Sequence, residues 1–332
     1  MDKKRRWTRV TVVGFCGLLI VLLGGCSSPV NPWAAAPGEP RVLTSFPPID
    51  CFTRNVAGEG VGVLCLITDG PHEYKDPTSA DILTVRKADL FLLNGLGLET
   101  KKAMDALKNN SGNVRLAMIP VGEAVPKKSR RSLGEHEREH EKDHKHAKGE
   151  DHHHEGNEDP HVWLGIPEAK LLVEKIRDEL QRIDPKRKEQ YAANAKNYLA
   201  RLDALKEYGE QKLGKKGLKV IAMHDSMGYF ARAFHIDVVA NIQVEPGEDP
   251  SARKMLELTQ VGAEKKVQAV CYEKKGAKAP AETLLDSLKS KGVAAVLVEF
   301  DPLETAEPDQ LNAGWYEERM RANIDNLAKA LK

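Results

Sequence analysis

From Pro185 to Leu213 the chain runs with no proline after the first position and no glycine except Gly209. Proline is favoured in the first turn of a helix, so this stretch reads as one helix restarted at Pro185 and carried through Lys186–Leu213. At 1.5 Å per residue it would be about 40 Å long, the span of a whole small domain. Tyr191, Ala195, Tyr198, Leu202 and Leu205 recur at helical spacing, so one face must pack on something. A coiled-coil dimer is the rival, but too few heptads carry strong apolar residues at both core positions. A helix from Pro167 to Ile183 precedes it, and a single rigid helix bridging two lobes is the better reading.

On either side of this helix, short apolar runs alternate with helical patterns. Strands are expected at Arg41–Phe46, Val61–Ile67, Leu90–Leu93 and Val114–Met118, with helices near Ile49–Ala57, Ala80–Lys87 and Glu99–Asn109. A second set has strands at Lys219–Ala222, Asp237–Ala240, Ala269–Tyr272 and Ala294–Val298, with helices near Ser226–Ala233, Ala252–Lys266, Ala279–Lys289 and Trp315–Leu331. This alternation implies βαβ units, hence an α/β fold of two parallel-sheet lobes. The expected boundaries are 41–166 for the first lobe, 167–214 for the helical segment and 215–332 for the second lobe.

The N-terminus bears on location. Lys3, Lys4, Arg5, Arg6 and Arg9 flank a mostly apolar run, Val10–Leu23, that is short for a bilayer span, and Leu23-Gly24-Gly25-Cys26 follows at once. This resembles a bacterial lipoprotein signal over 1–25, with Cys26 as the lipidated residue; an ordinary secretory signal or a plain membrane anchor is the alternative. Residues 26–40, rich in Ser, Pro, Ala and Gly, would be a flexible tether. Lys and Arg total 50 against 49 Asp and Glu, and this balance gives no argument for a nucleic-acid partner. Of the remaining cysteines, Cys51 and Cys65 would lie at one edge of the sheet if Cys51 opens a helix. An exported protein would allow them to oxidise, with loop closure worth about 3 kcal/mol. Two buried thiols are the equal alternative. Cys271 reads as a buried strand cysteine.

Seven of the eleven histidines, His136, His140, His144, His146, His152, His153 and His154, sit in one charged run. Such a run cannot bury a core, yet it can hold a divalent metal loosely, so a disordered accessory loop is expected over 122–158. Of the isolated four, His72, His161 and His224 each follow an apolar segment or turn, where α/β proteins place ligand sites at the carboxyl ends of strands. His235 reads as a surface or helix-end residue. For any one of the three, a satisfied structural histidine is the commoner outcome. Three at comparable positions, in two lobes, point jointly to a metal.

Several motifs now align in order: Ala88-Asp89-Leu90 with Asn94-Gly95-Leu96-Gly97-Leu98-Glu99, Asp159-Pro160-His161-Val162-Trp163-Leu164, Met223-His224-Asp225-Ser226-Met227-Gly228-Tyr229-Phe230, and Glu299-Phe300-Asp301-Pro302-Leu303. Together with the long helix and the histidine-rich insert, the chain resembles the zinc and manganese solute-binding lipoproteins of ABC transporters over nearly its whole length after Cys26. The resemblance implies metal capture in the interlobe cleft, delivery to an ABC permease driven by its ATPase, and a monomer lipid-anchored at the bacterial membrane, in the periplasm or at the cell surface. It also implies His72, His161 and His224 as ligands, with Asp301 as the fourth. The segment from His72 to Asp81 is about a residue longer than the family leads one to expect, which brings in Glu73 and Asp76 as competing oxygen donors.

The donor chemistry agrees independently. Three imidazoles and one carboxylate suit tetrahedral Zn2+ at about 2.0–2.2 Å, whereas Mn2+ prefers more oxygen. Binding should weaken as pH falls through about 6.5, because the imidazoles must lose protons. A zinc-dependent hydrolytic enzyme is the reading from another class. It finds neither an HExxH helix nor a general base paired with a nucleophile, and a fourth protein ligand would close the position such an enzyme keeps open. A surface zinc buffer or adhesin is the third reading.

Overall fold

The computed structural model describes residues 32–133, 158–214, 217–243 and 247–331, with only the backbone at residue 73. The expectations for the leader at 1–25, for lipidated Cys26 and for the seven histidines of the charged run therefore lie outside the described residues.

Two parallel four-stranded sheets form, one on each side of the long helix. The first contains β1 (Arg41–Thr44), β2 (Gly62–Cys65), β3 (Leu90–Leu93) and β4 (Ala117–Pro120), in the order β2-β1-β3-β4. Its helices are α1 (Pro47–Ala57), α2 (Ser79–Arg86) and α3 (Lys101–Ser111). The second contains β5 (Lys219–Ala222), β6 (Asp237–Asn241), β7 (Ala269–Tyr272) and β8 (Val296–Glu299), in the order β6-β5-β7-β8. The two lobes thus repeat one winding order, and in each the carboxyl ends of the strands form one edge where loops gather.

Between the lobes run α4 (Ile166–Ile183) and α5 (Lys188–Leu213), the latter entered through a 3-10 turn at Pro185–Arg187. At 26 residues α5 is about 39 Å long. All five apolar positions read from its spacing are buried, and Gly209 and Leu213 extend the stripe. After β5 come α6 (Gly228–Phe234), α7 (Ala252–Lys265), α8 (Ala279–Ser290) and the closing α9 (Trp315–Ala328). Helix α9 returns from the second lobe onto α5 and α1: Tyr208 donates to Asp325 at 2.6 Å, Tyr198 to Glu317 at 3.3 Å, and Asn55 to the Ala313 carbonyl at 2.8 Å. One apolar cluster runs without a break from Val42 and Phe52 through Tyr198 and Leu205 to Val220 and Ile324. The lobes therefore share a core, and burial on this scale resists a wide opening.

Several boundaries differ from expectation for local reasons. The strand expected at Val114 begins at Ala117, because Gly112 ends α3 in the left-handed conformation at φ +66° and Val114 lies 96% exposed in the turn that follows. Helix α3 starts after Thr100, whose hydroxyl caps Ala103 N–H, so Glu99 is outside it. The tether expected over 26–40 does not continue through its described part. Trp33 is buried against Leu43, Val85, Phe91 and Leu107, and its indole donates to the Thr84 carbonyl at 3.1 Å. The loop expected at 122–158 has an ordered neck: Gly122 and Val125 are buried, Ser132 pairs with Glu158, and Arg130 meets Glu158 at 2.8 Å. Cys51, Cys65 and Cys271 are free thiols. The Cys51–Cys65 bridge is not formed, because prolines at 47 and 48 start α1 a full turn before Cys51. Its thiol accordingly points to the Ala313 carbonyl, while that of Cys65 points to Ile67.

Gly209 lets α5 and α6 approach: a β-carbon there would stand 2.1 Å from Cε1 of Phe234. Gly209→Ala gains about 1 kcal/mol of helix propensity, but overpacking costs about 1–3 kcal/mol. We expect a lowered denaturation midpoint in urea at unchanged slope; a raised midpoint would show that the ring gives way freely.

Candidate metal centre

Four loops at the strand ends carry the site. His72 sits in a 3-10 turn, Pro71–Glu73, after β2. Its loop is fastened by Tyr74, whose hydroxyl donates to Asp81 at 2.9 Å and whose carbonyl accepts from Thr100 at 3.3 Å. His161 opens the short 3-10 turn Val162–Leu164, beyond the neck of the insert. His224 follows β5, and Glu304 follows β8.

The Asn94–Glu99 motif explains how the His161 loop is held. The Glu99 carboxylate accepts from the backbone N–H groups of Asn94 at 2.7 Å and Gly95 at 2.9 Å, closing the turn beyond β3. Gly95 is required there, since it has φ +76° and a β-carbon would meet that of Pro120 at 2.6 Å. The Asn94 amide, so fixed, donates to the carbonyl of Pro160 at 3.0 Å, next to His161.

The three imidazoles converge on one carboxylate oxygen. Glu304 Oε1 lies 3.3 Å from His161 Nε2, 3.6 Å from His72 Nε2 and 3.8 Å from His224 Nε2. Ligating atoms of His72, His161 and Glu304 all lie within 4.8 Å of one another. His224 joins them through Glu304, its ring centroid 5.5 Å from that of His161. All three Nε2 atoms and Glu304 Oε1 are buried, and none has a hydrogen-bond partner among the described residues. Orphaned buried polar atoms are rare and costly. Four of them aimed at one point fit a cation, and nitrogen-rich donors with one carboxylate fit Zn2+.

The opposite nitrogens of two rings are fixed from behind. His161 Nδ1 pairs with Asp159 Oδ1 at 2.8 Å, and His224 Nδ1 with Glu273 Oε1 at 2.6 Å. Such carboxylates select the tautomer that leaves Nε2 with a free lone pair and raise its basicity. His72, His224 and Glu304 line a cleft of about 590 Å³ that also takes in Asp69, Gln243, Glu273 and Arg319.

The structure brings His72, His161 and His224 together as expected from sequence, but the carboxylate facing them is Glu304. Asp301 lines the same cleft, and each of its oxygens accepts a hydrogen bond: Oδ2 from Arg319 at 2.9 Å, and Oδ1 from the Leu303 N–H at 2.8 Å. Asp76 is exposed and pairs with Lys102 at 3.4 Å; the Glu73 side chain lies outside the described residues. His235 caps α6 with φ +57°, away from the cluster. The motif that carries the resemblance ends at Leu303 and so leaves Glu304 out. The signal was present one residue further on, as a second carboxylate in the same loop.

Burial disfavours the charged form of His161, yet Asp159 and Glu304 hold its imidazolium up to about 10. For Glu304 burial likewise works against charge, and the facing imidazoles overcome it, placing its carboxyl well below the usual range. A raised histidine pKa contributes stability that is full below about 6.5 and lost as pH rises through its folded value. A lowered carboxyl pKa contributes stability present above about 4.3 and lost as pH falls through its folded value. In excess chelator, thermal unfolding should therefore show a component of stability that declines from pH 7 to pH 10 and is absent in His161→Gln. An equal decline in both proteins would contradict this coupling.

The family model described as zinc-uptake complex component A, periplasmic (ZnuA), matches residues 42–330. The zinc-binding lipoprotein AdcA of Streptococcus pneumoniae is 31% identical over 331 residues, covering 97% of this chain and 59% of that protein. The high-affinity zinc uptake system protein ZnuA of Bacillus subtilis is 29% identical over 333 residues, 98% of each. This chain thus spans about three-fifths of the AdcA relative and nearly all of the ZnuA relative. Among solved structures, the periplasmic zinc-binding protein TroA from Treponema pallidum superimposes with a TM-score of 0.71 at 27% identity, covering 89% of this chain and 99% of that one. On the match over 42–330 and these relatives, the chain belongs to the zinc-uptake complex component A family.

Proposed function

We propose that this protein captures Zn2+ between its two lobes as the extracytoplasmic binding component of an ABC importer and hands the ion to the membrane permease. Zn2+ is the cargo, held by Nε2 of His72, His161 and His224 and by the Glu304 carboxylate. The observation that carries this reading is the convergence of four buried donor atoms, none of them hydrogen-bonded among the described residues, drawn from both lobes. Mn2+ would prefer more oxygen than such a set offers. The protein is a carrier and not an enzyme: a fourth protein ligand closes the position that catalytic zinc keeps open for water.

Capture and release follow from the scaffold. His72 and His161 belong to the first lobe, His224 and Glu304 to the second, so the complete set exists only while the lobes stay in register. Shared core, α5 and the return of α9 make small loop displacements a cheaper route to release than a wide hinge. Docking to a permease would then open the shell by drawing one loop away. Cys26 is the proposed lipid anchor, outside the described residues; no described helix is long and apolar enough to cross a membrane. The charged run would be an accessory, loosely metal-binding segment.

The test is zinc stoichiometry and affinity for the full chain, for a deletion of residues 135–155, and for His72→Ala, His161→Ala, His224→Ala and Glu304→Ala. Each point variant should lose about 100-fold or more in affinity, beyond the 10- to 100-fold typical of groups behind the ligands. The deletion should keep one tight site. Retention of tight binding by any two of the histidine variants would refute this ligand set.

A further inference from the structure

Between β8 and α9 the backbone makes an unusual turn just before Glu304. Leu303 has φ +63° and is completely buried, a left-handed conformation that the β-carbon of a leucine opposes. Such a conformation persists only where its surroundings hold it. The holding group is Asp301. Its Oδ1 accepts the Leu303 N–H at 2.8 Å and its Oδ2 accepts from Arg319 at 2.9 Å. Its own backbone is clamped by Asn323, which accepts from Asp301 N–H at 2.8 Å and donates to the Asp301 carbonyl at 2.7 Å. Two further bonds come from the other lobe: Trp163 Nε1 donates to the Pro302 carbonyl at 2.8 Å, and Ala306 N–H donates to the Thr68 carbonyl at 3.0 Å.

We propose that Asp301 is a positioning residue for the fourth ligand: locked to α9 through Arg319 and Asn323, it imposes the left-handed turn at Leu303 that aims Glu304 at the three imidazoles. This deepens the metal-site reading above and rests on it. Both oxygens of Asp301 already accept bonds that shape the loop, whereas Glu304 Oε1 accepts none among the described residues and faces the three imidazoles. The bonds from Trp163 and Thr68 tie the same loop to the segments carrying His161 and His72. A disturbance of either segment is thereby transmitted to Glu304, the ligand whose geometry depends on a turn that its own residue types resist.

The test uses Co2+ as a spectroscopic probe in the full chain, read by the intensity and shape of its tetrahedral visible bands and by titration. Asp301→Ala should keep the band shape while losing 10- to 100-fold in affinity, the range for residues that orient ligands. Asp301→Asn retains an acceptor for Leu303 N–H, so its loss should be smaller. Leu303→Gly takes the left-handed turn without a brace, so adding it to Asp301→Ala should restore most of the lost affinity. Glu304→Gln should alter the bands. A changed spectrum in Asp301→Ala with an unchanged one in Glu304→Gln would make Asp301 the ligand and overturn the proposal. Altered bands in Glu304→Gln but no rescue by Leu303→Gly would overturn the brace alone. Unaltered bands in both Glu304→Gln and Asp301→Ala would overturn the ligand reading, and the proposal with it. Melting of each metal-free variant separates these effects from misfolding, and Asp301→Asn decides if Asp301→Ala does not fold.

Discussion

Three imidazole nitrogens and one carboxylate oxygen point at a common centre from loops that are far apart in the chain, each buried and each without a hydrogen-bond partner. Taking such atoms from water without hydrogen bonds to replace it is costly to a marginally stable fold. Much of the surrounding structure serves to keep them there. Asp159 and Glu273 hold two rings from behind, Asn94 and Glu99 fasten the His161 loop, Tyr74 and Asp81 fasten the His72 loop, and Asp301 shapes the turn before Glu304. Each candidate ligand has a polar neighbour or backbone brace behind it, which is how a site is held open for an ion instead of collapsing upon itself.

The scaffold sets how far these loops can move. A long helix alone would leave the lobes free to swing about its ends. Here α9 crosses back from the second lobe to α5 and α1, and the apolar cluster is continuous from one sheet to the other. Close-packed cores of this kind deform little. Motion between the lobes would therefore fall on the short segments at the strand ends. The interlobe bonds from Trp163 and Thr68 lie in that zone.

Much of this fold could be read from residue order. Apolar runs at Arg41, Leu90, Lys219 and Ala269 sit where strands form, and the stripe from Tyr191 to Leu205 is the buried face of α5. Periodicity fails where a single residue redirects the chain. Gly112 in the left-handed region displaces β4 by three residues, and Trp33 anchors a stretch whose composition reads as a linker. Three site histidines were legible because each follows an apolar segment or a turn where such folds place ligand loops. Asp301 and Glu304 lie in one loop, and the choice between them depends on Arg319 and Asn323 in a later helix and on the backbone angle at Leu303. None of those contacts leaves a periodic trace, so the loop was identified from sequence while its orientation was not.

Zinc K-edge X-ray absorption of the full chain, loaded with one equivalent of Zn2+, tests the central claim directly. The account predicts a four-coordinate ion with its nearest scatterers at about 2.0–2.2 Å, the multiple-scattering pattern of three imidazoles, and one oxygen ligand that is lost in Glu304→Ala. A six-coordinate oxygen shell, or an imidazole count that falls on deleting residues 135–155, would place the ion elsewhere and contradict it.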